Sequence, residues 1–285
     1  MGVKGQVFYF TLPYILAHDR EQKCEAKEGK VGMKRKLRTQ DRMLLVLADV
    51  WDLLEEIHDP GGWMKNYYKT LYGWVPYRYK RSNYRAIVER TLEVGYIEKI
   101  IKNGEVFIRL TSKGKKKLVR DFPILSLVGK KWKGIGTLVV FDVKEVEREK
   151  RDRLRPWLLS LGAGQVQKSV YLFAFDLAYE AKAAVKNFGL EEEVRVFPSS
   201  FDFIEDRKKF AYQVWKLGRL EKQYQAILDD IEAIASQKGR GKEKLICKVK
   251  QRFWEVLLSD PMLPSELLPN DWIGYKVKKA IKKLV

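Results

Sequence analysis

Residues 82–120, SNYRAIVERTLEVGYIEKIIKNGEVFIRLTSKGKKKLVR, constrain the chain more than any other stretch. Ser82 reads as the N-cap of a helix running to about Glu93, because a serine oxygen there accepts a backbone N–H that the first turn leaves without a partner. Gly95 supplies the helix stop. Tyr96–Ile101 and Val106–Leu110 alternate as strands do, and Asn103-Gly104 between them suits the two hairpin positions that need positive φ. Thr111–Arg120 resumes as a helix. Helix, hairpin, helix is the reading half of a winged helix-turn-helix, in which one helix enters the major groove and the wing touches the flanking backbone. The expected partner is double-stranded DNA.

Charge supports a polyanionic partner and says where it would sit. The 285 residues carry a net charge of +19. Residues 1–125 are net +10, residues 126–206 net 0 and residues 207–285 net +9. Residues 77–120 alone hold 13 Lys and Arg against 4 Asp and Glu, a sequence-independent attraction for phosphates. Two cysteines, Cys24 and Cys247, and two histidines, His18 and His58, cannot build a Cys/His zinc site within one chain, and they suggest no disulfide scaffold. The expected location is therefore a reducing cytoplasm. The longest apolar stretch, Val7–Ala17, is too short to span a bilayer, so no membrane partner is expected. No phosphate-cradling glycine motif is present, and no cofactor is expected.

The remaining pattern predicts an α+β protein. Residues 1–40 are an N-terminal extension and basic linker ending in KRKLR. Met43, Leu44, Leu47, Val50, Trp51 and Leu54 recur at helical spacing and predict one helix over Asp41–Ile57, stopped by Asp59-Pro60-Gly61-Gly62. Met64–Tyr72 reads as a short aromatic helix and Gly73–Pro76 as a turn, so that 41–122 forms one winged helix-turn-helix domain. Further on, Gly134–Val143 reads as a buried strand and Lys144–Leu161 as a charged helix. Gln165–Phe175 holds a strand pair or one bent strand, Leu177–Phe188 a helix and Val194–Phe203 a last strand. The order β-α-β-β-α-β is that of a ferredoxin-like fold, here a dimerisation domain over 132–206. Residues 207–285 read as helical: a long helix Arg207–Ser236, a basic breaker Gly239–Lys244, a helix Lys244–Leu258, and a helix from Trp272.

Major-groove reading needs a helix with one face packed and the other offering donors. Ile87, Val88 and Leu92 face inward on the helical pattern, while Ser82, Asn83, Arg85 and Glu89 reach outward, with Lys80 and Arg81 at the entrance. Arg85 matches guanine O6 and N7 with its planar fork, and Asn83 suits adenine. Lys99, Lys102 and Arg109 lie on the wing, and Lys113, Lys115, Lys116 and Lys117 follow it as candidate phosphate contacts.

These residues resemble a known family. Arg85, Arg90 and Gly95, then Phe107-Ile-Arg-Leu-Thr111 and Gly114, are similar to the PaaX family of winged-helix repressors. So are Trp132, Gly134, Phe141-Asp142-Val143, Arg151-x-Arg-Leu-Arg155, Leu161-Gly162-x-Gly164 and Ser169-Val170-Tyr171. Asp260-Pro261-Met262-Leu263-Pro264-x-Glu266, Pro269, Asp271-Trp272 and Gly274 resemble the family's C-terminal motif almost position by position. The likeness covers about residues 41–285; residues 1–40 and the aromatic cluster Tyr67, Tyr68, Tyr72, Trp74 and Tyr77 depart from it. It implies a homodimeric repressor released by an aryl-CoA or acyl-CoA thioester. Trp215, Arg219, Tyr224 and Trp272 are then the candidate effector residues. The middle region also resembles the small ferredoxin-like nucleases of CRISPR adaptation. That resemblance implies a metal-dependent endoribonuclease or deoxyribonuclease using Asp142, with Asp152 and Asp176 as the other acids near it in sequence. In the simpler reading Asp142 caps a strand end or pairs with Arg151 or Arg155.

Overall fold

The computed structural model describes residues 37–48, 56–59, 81–102, 105–236 and 239–284. The chain divides into two compact units. One holds residues 126–217 and 260–270, the other residues 36–125, 218–259 and 271–285.

The first unit is built on a four-stranded antiparallel sheet. Strands β4 (Ile135–Phe141), β5 (Gly164–Gln167), β6 (Val170–Phe173) and β7 (Val194–Ser200) lie in the order β5-β6-β4-β7. Helix α4 (Arg148–Ser160) connects β4 to β5, and α5 (Ala178–Phe188) connects β6 to β7. This is the expected β-α-β-β-α-β arrangement with every neighbouring pair antiparallel. The stretch 165–175 resolves into a strand pair, with an irregularity between Gln165 and Gln167 that leaves Val166 outside the register. Val139, Phe141, Tyr171 and Phe173 from the sheet and Leu154, Leu158, Ala181 and Val185 from the helices are buried together. Each fully buried side chain of this size contributes about 1.5–3 kcal/mol. Trp132 donates from Nε1 to the Ala174 carbonyl at 2.7 Å and meets Phe201 edge-on, closing one end of the core. The helix expected over Lys144–Leu161 begins instead with a 3-10 turn, Glu145–Glu147, before the α-helix starts.

Helix α6 (Arg207–Val214) belongs to this unit, and α7 spans Leu217–Ala235. The single long helix predicted over Arg207–Ser236 is therefore two. Lys216 adopts a positive φ of 52° between them. Trp215 turns away to donate from Nε1 to the Gly162 carbonyl at 2.8 Å. That long-range bond takes precedence over helix continuation.

In the second unit, α1 (Thr39–Leu47), β1 (Glu56–Asp59), α2 (Arg81–Glu93), β2 (Ile97–Lys102), β3 (Glu105–Leu110) and α3 (Ser112–Asp121) follow in order. The sheet order is β1-β3-β2, antiparallel throughout. The single helix expected over Asp41–Ile57 is corrected here. The helix begins at Thr39 and ends at Leu47, and Glu56–Asp59 pairs with β3, Ile57 lying opposite Ile108. Backbone pairing with a distant strand overrides the local helical pattern; Val50, Trp51 and Leu54 lie outside the described residues. So do the expected aromatic helix at 64–72, the turn at 73–76 and the Asn103-Gly104 turn. Helix α2 starts at Arg81, so Ser82 stands inside its first turn rather than capping it.

Three more helical segments complete this unit: the rest of α7, α8 (Gly239–Leu257) and α9 (Ile273–Lys282). Gly239–Lys244, predicted as a breaker, forms the first turns of α8. A glycine costs a helix about 1 kcal/mol against alanine, and the buried face downstream, with Val249, Phe253, Trp254 and Leu257, outweighs it. Arg252 pairs with Asp230 at 2.5 Å between α8 and α7.

Candidate nucleic-acid interface

Two groups of contacts set the position of α2. Val88 is fully buried and Thr91 beside it accepts from Gln40 Nε2 at 2.9 Å, fixing α2 against α1. Ile87 and Leu92 are half-buried on the same side. At its C-terminal end the Tyr96 N–H donates to the Thr91 carbonyl at 3.0 Å, and the chain turns directly into β2.

Helix α3 is capped by Thr111, whose Oγ1 accepts the Gly114 N–H at 3.0 Å and donates to the Gly95 carbonyl at 2.6 Å. Gly114 allows the close approach: a Cβ there would lie 2.1 Å from the Tyr96 carbonyl oxygen and 2.6 Å from Leu110 Cδ1. The Thr-x-x-Gly spacing is thus a packing requirement between α3 and the start of the hairpin. Beneath it lies a charge network that the sequence pattern does not reveal. Arg38 and Asp41 form a reciprocal cap on α1. Asp41 is fully buried and accepts from Arg38 Nε and Nη2, each at 3.0 Å. Lys117 lies 2.5 Å from Asp121 and 3.5 Å from Asp41. Burial pushes the Asp41 carboxyl upward, but hydrogen bonds from Arg38 and the charges of Arg38 and Lys117 outweigh it and hold the pKa below its ordinary value.

The outward residues fall into three groups. Asn83 and Arg85 are exposed on α2, as the helical pattern predicts. Arg85 Nε donates to Glu89 at 2.8 Å, an exposed i,i+4 pair. Such a pair is worth only about 0.3–0.5 kcal/mol. On the hairpin, Lys99 is exposed, whereas Arg109 forms a cross-strand pair with Glu98 at 2.6 Å. Lys102 closes β2 opposite Glu105. On α3, Lys115 is half-exposed and Lys116 exposed. Lys113 donates to the Val94 carbonyl at 2.8 Å. Lys117 is buried in the Asp41–Asp121 network, which corrects its expected place among the outward lysines: it holds α3 to α1. Lys80 and the side chains of Arg81 and Ser82 lie outside the described residues.

The remaining candidate residues occupy other settings. Asp142 is exposed just past β4, and its backbone N–H donates to the Glu193 carbonyl at 3.0 Å. Among the described residues it forms no ion pair with Arg151 or Arg155. Arg151 instead pairs with Glu145 at 3.1 Å, and Arg155 lies 4.0 Å from Asp152. Asp176 accepts the Ala178 N–H at 3.3 Å at the start of α5. Among the described residues no three His, Cys, Asp or Glu side chains converge as a metal-ion cluster. Tyr224 and Trp272 are brought together, edge to face at 6.2 Å and almost fully buried. Trp215 packs in the other unit, against Gly164. Arg219 is exposed on α7. No described helix is long and apolar enough to cross a membrane.

Comparison with known proteins bears on the central and C-terminal regions. Residues 129–211 match the PaaX protein central Cas2-like domain, and residues 215–285 match the PaaX-like protein C-terminal domain, together more than half of the chain. The chain belongs to the PaaX family. The central match coincides with the β4–β7 sheet and its two helices, and the C-terminal match spans α7 to α9. Among solved structures, the chain is similar to the uncharacterized protein Rv0674 from Mycobacterium tuberculosis, at 17% identity and a TM-score of 0.50, covering 86% of this chain and 94% of that one. That likeness concerns the fold. No curated protein matches the chain.

Proposed function

We propose that this PaaX-family chain is a sequence-specific DNA-binding transcriptional regulator of the cytoplasm, a homodimeric repressor released by a small effector. The observation that carries the reading is the exposed face of α2, with Asn83 and Arg85, followed by a hairpin that exposes Lys99. In this reading residues 41–122 form a winged helix-turn-helix with α2 in the major groove. Residues 132–206 dimerise and set the distance between two α2 helices, which fixes the half-site spacing. Lys80, Arg81, Ser82, Lys102, Lys113 and Lys115 flank the reading residues at the phosphates, and Lys99 and Arg109 act from the wing.

Residues 207–285 would sense the effector, an acyl-CoA or aryl-CoA thioester whose phosphates suit a region of net +9. Tyr224, Trp272 and Trp215 are engaged in core packing, so Arg219 is the candidate for a phosphate contact. The effector would favour a dimer whose two α2 helices no longer match the half-sites. The nuclease reading through Asp142 draws less support, because Asp152 and Asp176 are engaged with Arg148 and with the Ala178 N–H.

The test is Arg85→Ala in a binding assay against an operator and a scrambled duplex. Loss of about 1–3 kcal/mol of operator preference, with non-specific affinity kept, is the expected result. Unchanged operator preference would refute the placement of α2.

A further inference from the structure

Helix α9 turns one face to the core and one to water. Gly274, Val277 and Ile281 are buried, while Tyr275, Lys276, Lys279, Lys282 and the C-cap Lys283 are exposed. The exposed set recurs at the spacing of a single helix face. Residues 272–285 hold five lysines and no Asp or Glu, so this short stretch supplies +5 of the +9 carried by residues 207–285.

Helix stability does not select such a face. Like charges three or four residues apart repel, and α9 sets Lys276 against Lys279, Lys278 against Lys282 and Lys279 against Lys283. The helix dipole favours cations in the last turn, where Lys279 and Lys282 stand, but gives no reason for Lys276. On α4, by contrast, Arg148 pairs with Asp152 at 3.4 Å and Lys150 with Glu147 at 2.5 Å. Among the described residues Lys276, Lys279 and Lys283 enter no ion pair. A row of unmatched like charges is what a polyanion neutralises.

From Lys276 to Lys283 the helix rises about 10 Å, the reach of three successive phosphates on one DNA strand at about 3.4 Å each. Lysines spread along the convex side of a helix suit a linear polyanion better than a small anion, which binds in a concave site. Helix α9 also belongs to the same compact unit as α2. Within that unit Arg42 of α1, only 4% exposed, lies 3.9 Å from Glu255 of α8, so the C-terminal helices are joined to the winged-helix part. We propose that the exposed lysine face of α9 is a second DNA contact, made to backbone phosphates that flank the site read by α2, with Lys276, Lys279 and Lys283 carrying it. The contact adds affinity without sequence information. It rests on the DNA-binding reading above for its partner, and not on α2 as the reading helix.

The experiment uses the full chain with Lys276→Gln, Lys279→Gln and Lys283→Gln together. A control variant carries Lys144→Gln, Lys182→Gln and Lys186→Gln, three exposed lysines of the central unit, and loses the same charge. Fluorescence anisotropy follows binding to the duplex from upstream of the protein's own gene and to a scrambled duplex over a range of salt. The α9 variant is expected to lower the slope of log affinity against log salt by about 2–3 on both duplexes, with the preference between them unchanged. The control is expected to change the slope little, and Lys→Arg at the three α9 positions to keep it. Lysine and glutamine have nearly equal helix propensity, so circular dichroism should match the wild type; if the triple variant loses its fold, Lys276→Gln alone is read for a fall of about one. An unchanged slope, an equal fall in the control, or weakened binding of coenzyme A with DNA binding intact would overturn the proposal. Wild-type binding that does not distinguish the duplexes, yet is weakened in the α9 variant, would refute the placement of α2 and support this contact. Absence of binding to either duplex would overturn both.

Discussion

Replacing Asp41 with alanine is expected to destabilise the unit that carries α2 by about 2–4 kcal/mol. Asp41 is fully buried and accepts the Arg38 backbone N–H at 3.1 Å along with two guanidinium bonds. Loss of this cap costs about 1 kcal/mol. Lys117, itself buried, keeps Asp121 at 2.5 Å but loses its second carboxylate, which costs about 1–3 kcal/mol more for a hydrogen-bonded charge. The Arg38 side chain is half-exposed, so its ion pair adds little beyond the cap. Urea unfolding followed by circular dichroism reads the effect as a midpoint lowered by about 1–2 M, for a slope near 2 kcal/mol per M. The pH dependence supplies an independent sign. Arg38 and Lys117 hold the Asp41 carboxyl below its ordinary value against the effect of burial. Its contribution is therefore fully present above the unfolded pKa of about 3.9 and is lost as pH falls through the lower folded value. The stability gap between wild type and Asp41→Ala should accordingly be constant near neutrality and close in acid. A midpoint shift under about 0.3 M at pH 7, for that same slope, or a gap that widens in acid, would refute the network as drawn.

Other outcomes follow from the placement of the lysines and the aromatic pair. Lys99→Ala, on the exposed wing, should lower the slope of log affinity against log salt by about one without changing sequence preference. Lys117→Ala should leave that slope unchanged and lower the urea midpoint, because the lysine is buried against Asp121. Trp272→Ala should cost about 3–5 kcal/mol in thermal or urea unfolding, since it empties a buried site against Tyr224; a cost below about 1 kcal/mol would mean that the ring is not core.

The elements that were legible in the sequence are those set by neighbours close in the chain. Val88 with Ile87 and Leu92 marks the inner face of α2, and the alternation on either side of Asn103-Gly104 marks β2 and β3 to within a residue. The central β-α-β-β-α-β order was legible for the same reason. The misread segments depend on distant partners. Ile57 is in a strand because it lies opposite Ile108, and the helix from Arg207 breaks because Trp215 bonds to a carbonyl 53 residues away. Of the site, Asn83, Arg85 and Lys99 could be placed from periodicity alone. The burial of Lys117 and Arg42 could not, because each looks like an ordinary surface charge until α1, α3 and α8 are assembled around it.

The most direct test of the proposed function is a gel-shift assay with the DNA fragment upstream of this protein's own gene, under excess competitor DNA and with and without magnesium. The account predicts a discrete, competitor-resistant complex with intact DNA in both lanes. Magnesium-dependent cleavage that Asp142→Ala abolishes would contradict it and make the central domain a nuclease.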